Sequence, residues 1–205
     1  MTDGNRDGQA KQDRRIQRSQ LALKTALLEL TVEKGFDTLS VAEIAERANV
    51  GRSTFYAHYA DKDDLLQDSV NGLGEHLRDY VEASDPSAAP GVHPALRFCL
   101  PMLEHVQEQR LLFLAMAGRR SSELIQELFH DMWADLVRAG WPDADEVAVQ
   151  TIAGGFNATM FWWRTSAPEL SPLEVFERFS RFVTPGLPAV PSALPRPSGD
   201  ATGGV

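Results

Sequence analysis

Leu39–Leu66, LSVAEIAERANVGRSTFYAHYADKDDLL, reads as two short helices separated by a tight turn and followed by the start of a third. Ser40 with Glu43 three residues on is a capping-box pattern that starts the first helix, and Ile44, Ala45 and Ala48 supply its buried face. Ala48-Asn49-Val50-Gly51 stops that helix, because Asn and Gly tolerate the left-handed backbone a sharp turn requires. Val50 then fills the angle between the two helices. The second helix is expected over about Arg52–Tyr59, with Phe55 and Tyr59 facing inward and Arg52, Ser53, Tyr56 and His58 facing out. Asp61 caps the third, whose first turn carries Asp63 and Asp64 where the helix dipole favours carboxylates. This is the order of a helix-turn-helix, whose second helix lies in the major groove of DNA.

Upstream, Ile16–Phe36 continues the pattern. Leu23, Ala26, Leu27 and Leu30 form one apolar stripe, Gly35 suits the C-cap and Phe36 supplies the capping hydrophobic contact. Through NVGRSTFYAHYADKDDLL and this preceding helix, about 50 residues in all, the chain resembles the TetR (tetracycline-repressor-like) family of bacterial one-component regulators. The remainder resembles the family in architecture only.

The resemblance implies roles for individual residues. Ser40, Thr54, Tyr56, His58 and Lys62 match family positions that touch phosphates, contacts that fix register without reading sequence. Arg52 and Ser53 are the candidates for reading bases. Arg52 can take guanine O6 and N7 together, worth ~1–3 kcal/mol of discrimination, whereas Ser53 is short and promiscuous. For Tyr56 and His58 the alternative is surface packing against the first helix. Gly51 stands where the family commonly has Ser or Thr, and Ala57 where many relatives carry a larger residue, so base reading is expected to rest on fewer side chains.

Charge distribution fits this reading better than its total does. The net charge is −9, which on its face argues against a nucleic-acid partner. Residues 1–62, however, hold 10 Lys/Arg and 9 Asp/Glu, while residues 63–205 hold 10 and 20. The acidity therefore belongs to the second part. Arg14, Arg15 and Arg18 cluster ahead of the first apolar stripe, and Arg52 and Lys62 flank the recognition helix.

At 205 residues and 43% hydrophobic composition, the chain can hold a small head and a larger second domain. The expected division is a disordered arm over 1–13, a DNA-binding head over 14–62, a helical ligand-binding and dimerisation domain over 63–184, and a flexible Pro/Gly-rich tail over 185–205. The lone Cys99 excludes an internal disulfide framework and sits in an apolar run that suits a buried thiol. The first 20 residues lack the apolar run of a secretory signal, and no stretch reaches the ~20 apolar residues of a membrane span. A cytoplasmic protein is expected.

From Lys62 one apolar stripe, Leu66, Val70, Leu73, Leu77 and Tyr80, leads out of the head. Gly72 and Gly74 within it either soften the helix or admit a close neighbour. Ser84–Gly91 is a loop by composition. A helix then opens at His93-Pro94 and runs towards Val106, kinked or broken by Pro101. A short apolar segment spans Leu111–Ala117, and Ser121 caps the helix that ends at Gly140. Asp143 with Glu146 makes a capping box for the helix through Phe156 and Trp163, and Ser171-Pro172 with Glu174 starts the last one. No segment alternates with a period of two, so the expected fold is all-α: a three-helix head joined by a long helix to a larger helical domain.

The last two helices carry Phe156, Thr159, Met160 and Trp163, then Leu173, Phe176, Phe179 and Val183. This is more apolar surface than a peripheral hairpin should show. It resembles the family's dimer interface, a four-helix bundle shared by two subunits, and the alternative is monomer core. A mixed set of aromatic, soft and polar residues, Phe98, Met102, His105, Phe113, Met116, Phe129, Trp133, Asn157 and Phe161, suits a mostly apolar ligand cavity, although plain core explains each of them as well. Glu127, His130 and Asp131 look like a solvated face rather than a metal site, and no metal or cofactor is expected. No GxSxG, P-loop, GxGxxG or HExxH pattern occurs, so an enzyme finds no support.

The expected function is a homodimeric repressor that holds a palindromic operator in double-stranded DNA and is released by a small apolar or amphipathic ligand. The alternative is a regulator of the same fold controlled by a protein partner or bound constitutively, without a working pocket.

Overall fold

The computed structural model describes residues 3–83, 91–115 and 122–188, and among these every regular element is helical. The helices are α1 Asp3–Lys34, α2 Val41–Arg47, α3 Arg52–Tyr56, α4 Lys62–Ala83, α5 Cys99–Glu108, α6 Arg110–Ala115, α7 Ser122–Gly140, α8 Glu146–Ser166 and α9 Pro172–Val183. The all-α expectation holds. The first helix starts earlier than expected, at Asp3, so residues 3–13 continue α1 instead of forming a disordered arm. Met116, Ser121 and residues 189–205, to which a pocket role, a cap and most of the tail were assigned, lie outside the described residues.

Local chemistry explains most boundaries. α1 ends at Gly35, which adopts φ 80°, a left-handed conformation that favours glycine, and Phe36 beyond it is buried. α2 starts on the full capping box: the Ser40 hydroxyl accepts from the Glu43 N–H while the Glu43 carboxylate accepts from the Ser40 N–H. In the turn between α2 and α3, Asn49 takes the positive φ of 53°, and Gly51 is ordinary extended backbone at φ −70°. Asn serves because its short polar side chain tolerates that region. α3 stops at Tyr56, one turn short of the expected end, and Tyr59 reaches the core from the turn that follows.

In the second part, the chain breaks ahead of Pro101. A 3-10 turn over Pro94–Leu96 precedes α5, and the proline sits in the first turn of α5, where its missing N–H removes no internal bond. The cap of α8 is Asp145, whose carboxylate accepts from the Ala148 N–H at 2.9 Å, and not Asp143. α9 begins on the Ser171–Glu174 box as its sequence indicates. At the end of α7, packing requires Gly140: a Cβ there would stand 2.5 Å from the Pro94 carbonyl oxygen, so only glycine lets the 3-10 turn lie against the helix.

The buried side chains form one continuous core from Leu23, Leu27, Phe55 and Leu65 in the head to Phe98, Trp133, Phe156 and Phe179 in the body. Two packing routes join the halves: α1 lies against α6, and α4 lies against α7. Among the described residues, no helix is long and apolar enough to cross a membrane.

Candidate DNA-reading face and ligand cavity

The reader is held from behind and open in front. Phe55 is fully buried and Tyr59 nearly so, and their rings pack 5.8 Å apart. The Tyr59 hydroxyl donates to Asp68 on α4 at 2.7 Å, and Lys24 on α1 pairs with the same carboxylate at 2.9 Å. Burial by itself would raise the Asp68 carboxyl, but the bonds from Tyr59 and Lys24 outweigh it and hold it below the usual carboxylate range. One carboxylate thus ties α1, α4 and the end of the recognition segment together.

α2 is fastened to α1 by charge. Arg47 reaches Glu33 with both terminal nitrogens, at 2.7 and 2.8 Å, and Glu29 at 3.3 Å. Lys34 pairs with Glu43 at 2.7 Å, and this contact, with the Ser40 bonds, holds the Glu43 carboxyl down at about 2. These cross-helix pairs had no signal in the sequence, since the partners come from separate elements.

On the outward side, Arg52, Ser53 and Tyr56 are exposed, Tyr56 by 60%, and Thr54 and His58 are half-buried. The Tyr56 ring meets Phe55 edge-on at 5.5 Å, and His58 meets Tyr59 at 6.3 Å. α3 and the turn after it therefore present five of the seven expected DNA contacts together. The other two are engaged within the protein. The Ser40 hydroxyl donates to Glu43 at 2.8 Å, so it cannot donate to a phosphate while the box is intact. Lys62 directs its ammonium at the carbonyls of Phe36, Asp37 and Leu39, at 3.0, 3.2 and 3.0 Å, with the Phe36 ring beneath it at 4.8 Å. Three carbonyls match its three N–H donors, so Lys62 is reassigned from phosphate contact to holding the α1–α2 connection.

A cavity of about 360 Å³ lies between α6, α7 and α8. Of the expected pocket residues, Phe113, Phe129, Trp133, Asn157 and Phe161 line it. Phe98 and Met102 are instead core, with Phe98 stacked on Trp133 at 5.8 Å, and His105 packs edge-on against Phe113 outside the lining. Ile125, Gln126, Gly154, Met160 and Arg164 line the cavity without having been anticipated. His130 bonds to Gln150 at 2.6 Å.

The expected dimer face needs correction. Phe156, Met160, Trp163, Phe176 and Phe179 are buried within the single chain, and the Trp163 indole donates to the Leu170 carbonyl at 2.9 Å. They are monomer core. Thr159 is half-buried and bonded to the Gly155 carbonyl, and Val183 is half-buried too. Only Leu173 of that set stands out in solvent, and with it stand Trp162 and Phe182, which lie outside the expected set.

Comparison with known proteins agrees with this head. Residues 23–68 match the family model for bacterial regulatory proteins of the tetR family. The head of this chain is of the TetR type. It is 34% identical over 86 residues to YxbF of Bacillus subtilis, an uncharacterized HTH-type transcriptional regulator, covering 41% of this chain and 23% of that protein. A second HTH-type regulator of B. subtilis, YdeS, is 42% identical over 48 residues, 23% of this chain and 24% of that one. The chain thus spans about a quarter of the length of these curated relatives. Among solved structures, a TetR transcriptional regulator of Streptococcus agalactiae superposes with a TM-score of 0.58 at 20% identity, covering 85% of this chain and 98% of that one. The TetR-family repressor FadR of Thermus thermophilus, solved with lauroyl-CoA, gives 0.56 at 20% identity, covering 85% and 98%. At such identity these two speak for the fold alone.

Proposed function

We infer that this chain is a TetR-family transcriptional regulator that binds a palindromic operator as a homodimer and lets go when a small molecule fills the cavity. The observation that carries the reading is the α3 face. Arg52 makes no hydrogen bond or ion pair among the described residues, and it projects with Ser53 and Tyr56 from a helix whose inner side is locked by Phe55 and the Tyr59–Asp68 bond. A free guanidinium on a rigid helix is suited to the edge of a guanine.

Release is supported by connectivity. The cavity is lined by α6 and α7, α6 packs on α1 and α7 packs on α4, so a ligand that moves either wall pushes on a helix rooted in the head. Such a ligand shifts the population towards a spacing of recognition helices other than the ~34–36 Å that successive major grooves require. That FadR of T. thermophilus was solved with lauroyl-CoA is in keeping with ligand control on this fold.

Dimerisation is assigned to three of the apolar side chains that α8 and α9 leave in solvent, Trp162 at 45%, Leu173 at 52% and Phe182 at 89% exposure. The test is selection of sites bound by the purified protein from promoter-proximal DNA, followed by light scattering at micromolar concentration. A palindromic motif and a dimer are expected. Absence of any sequence preference refutes the reading, and a monomer on its operator refutes the symmetric part of it.

A further inference from the structure

Among the described residues that line the cavity, Arg164 is the one that carries a charge. It stands in the last turn of α8, its Nε is buried without a hydrogen-bond partner, and its guanidinium lies 5.6 Å from the centroid of the Phe113 ring. Among the described residues no carboxylate pairs with it, and the stretch 116–121, outside those residues, contains no Asp or Glu. Burial lowers its pKa, but an arginine keeps its proton, so a half-buried cation with no carboxylate partner among the described residues stands in the cavity wall. A second buried Nε, that of Arg97, differs: its cleft also holds the carboxylate of Glu82.

Asn157 adds an independent constraint. Gly154, Asn157, Phe161 and Arg164 follow one another at steps of three and four, so they share the cavity-facing stripe of α8. The Trp133 indole N–H donates to Asn157 Oδ1 at 3.4 Å, which identifies the oxygen and leaves the amide N–H groups as donors. Both polar groups on that stripe therefore offer hydrogen-bond donors, one of them charged, amid Phe113, Phe129, Trp133 and Phe161. The complement is an apolar body with a single acceptor-only anionic end. A carboxylate meets this best, because its two oxygens match the guanidinium fork. At about 360 Å³ the cavity is at the small end of the usual ~300–1,000 Å³ for ligand pockets.

We propose that the cavity binds a small amphipathic carboxylate, its anionic end on Arg164 and Asn157 and its apolar body among Phe113, Phe129 and Trp133. The regulatory consequence rests on the ligand-release reading above, whereas the binding does not.

The test is calorimetric titration of the full chain with decanoate and 4-phenylbutyrate, each against its own primary amide. At least one carboxylate is expected to bind about tenfold or more tighter than its amide, the scale of a charge-assisted hydrogen bond. Arg164→Gln should equalise acid and amide, and Arg164→Lys should keep part of the preference. Arg164→Met, which removes that cation, should raise the Tm of the ligand-free protein, so a lost response in the glutamine variant is not mistaken for misfolding. Equal affinity for acid and amide, an acid preference that survives Arg164→Gln, or no binding of either acid overturns the proposal. A carboxylate that binds through Arg164 yet leaves the protein on its operator upholds the site and counts against ligand release.

Discussion

Gly74 on α4 and Met132 on α7 are in contact to the limit that glycine allows: a Cβ at Gly74 would stand 2.9 Å from Met132 Cγ and 3.2 Å from its sulfur. Gly74 is therefore a contact point between the helix that leaves the head and the helix that walls the cavity. Gly74→Ala should lower stability by about 1–3 kcal/mol, the usual effect of overpacking. Met132→Ala, which empties a buried site, should lower it as well. Because the two residues meet, the double variant should lose clearly less than the sum, and additive losses in thermal melts would show that the close approach is not the cause.

Arg52→Ala should weaken operator binding by about 1–3 kcal/mol and leave binding to random DNA nearly unchanged. Parallel titrations of both DNAs at one salt concentration check this. Equal loss on both would make Arg52 a phosphate contact.

Lys62 should behave in the opposite way. Lys62→Met keeps the apolar stem over Phe36 but removes three hydrogen bonds to carbonyls, so the head should lose on the order of 1–2 kcal/mol, a discounted figure for a half-exposed ammonium. The salt slope of DNA binding should stay as it was. A slope shallower by about one unit with stability intact would return the residue to the phosphate backbone.

Acid should loosen the junction at the start of the second part. The His93 Nδ1 accepts from the Ala95 N–H at 3.2 Å as the cap of the 3-10 turn, a role open only to the neutral ring, and its edge packs on Trp141 at 5.5 Å. Burial, helped by the Arg97 charge, pushes its pKa down from the ordinary 6.5. The unfolded chain thus takes up the proton first, so this contribution is complete above pH 6.5 and is lost as pH falls towards the folded value. His93→Ser, which caps without titrating near neutrality, should flatten the Tm profile below pH 6.5. An unaltered profile would place the acid sensitivity elsewhere, His105 being the next group whose pKa burial lowers.

The head was legible because its signals are local. Ser40 and Glu43, or Ser171 and Glu174, find each other three residues apart whatever the rest of the chain does. Asp143 and Asp145 show the limit of such signals, since both precede a helix and only the one in extended backbone at φ −68°, ψ 156° can cap it. Apolar periodicity marks a face to be buried without naming what covers it, which is why Phe156 and Trp163 were assigned to a second subunit when their own chain encloses them. Arg164 gave no signal at all, because what distinguishes it, a buried Nε without a hydrogen-bond partner among the described residues, exists only in three dimensions.

The shared carboxylate of Asp68 also has a mechanical meaning. With Lys24, Tyr59 and Asp68 joined, the recognition helix has no loose joint of its own and must travel with α4. At ~1.5 Å per residue the 22 residues of α4 make a lever about 33 Å long. Tilting such a lever by roughly 5° displaces its end by about 3 Å, comparable to one base-pair step of ~3.4 Å, so a movement too slight to disturb the core at Gly74 and Met132 is enough to put a reader out of register with its groove.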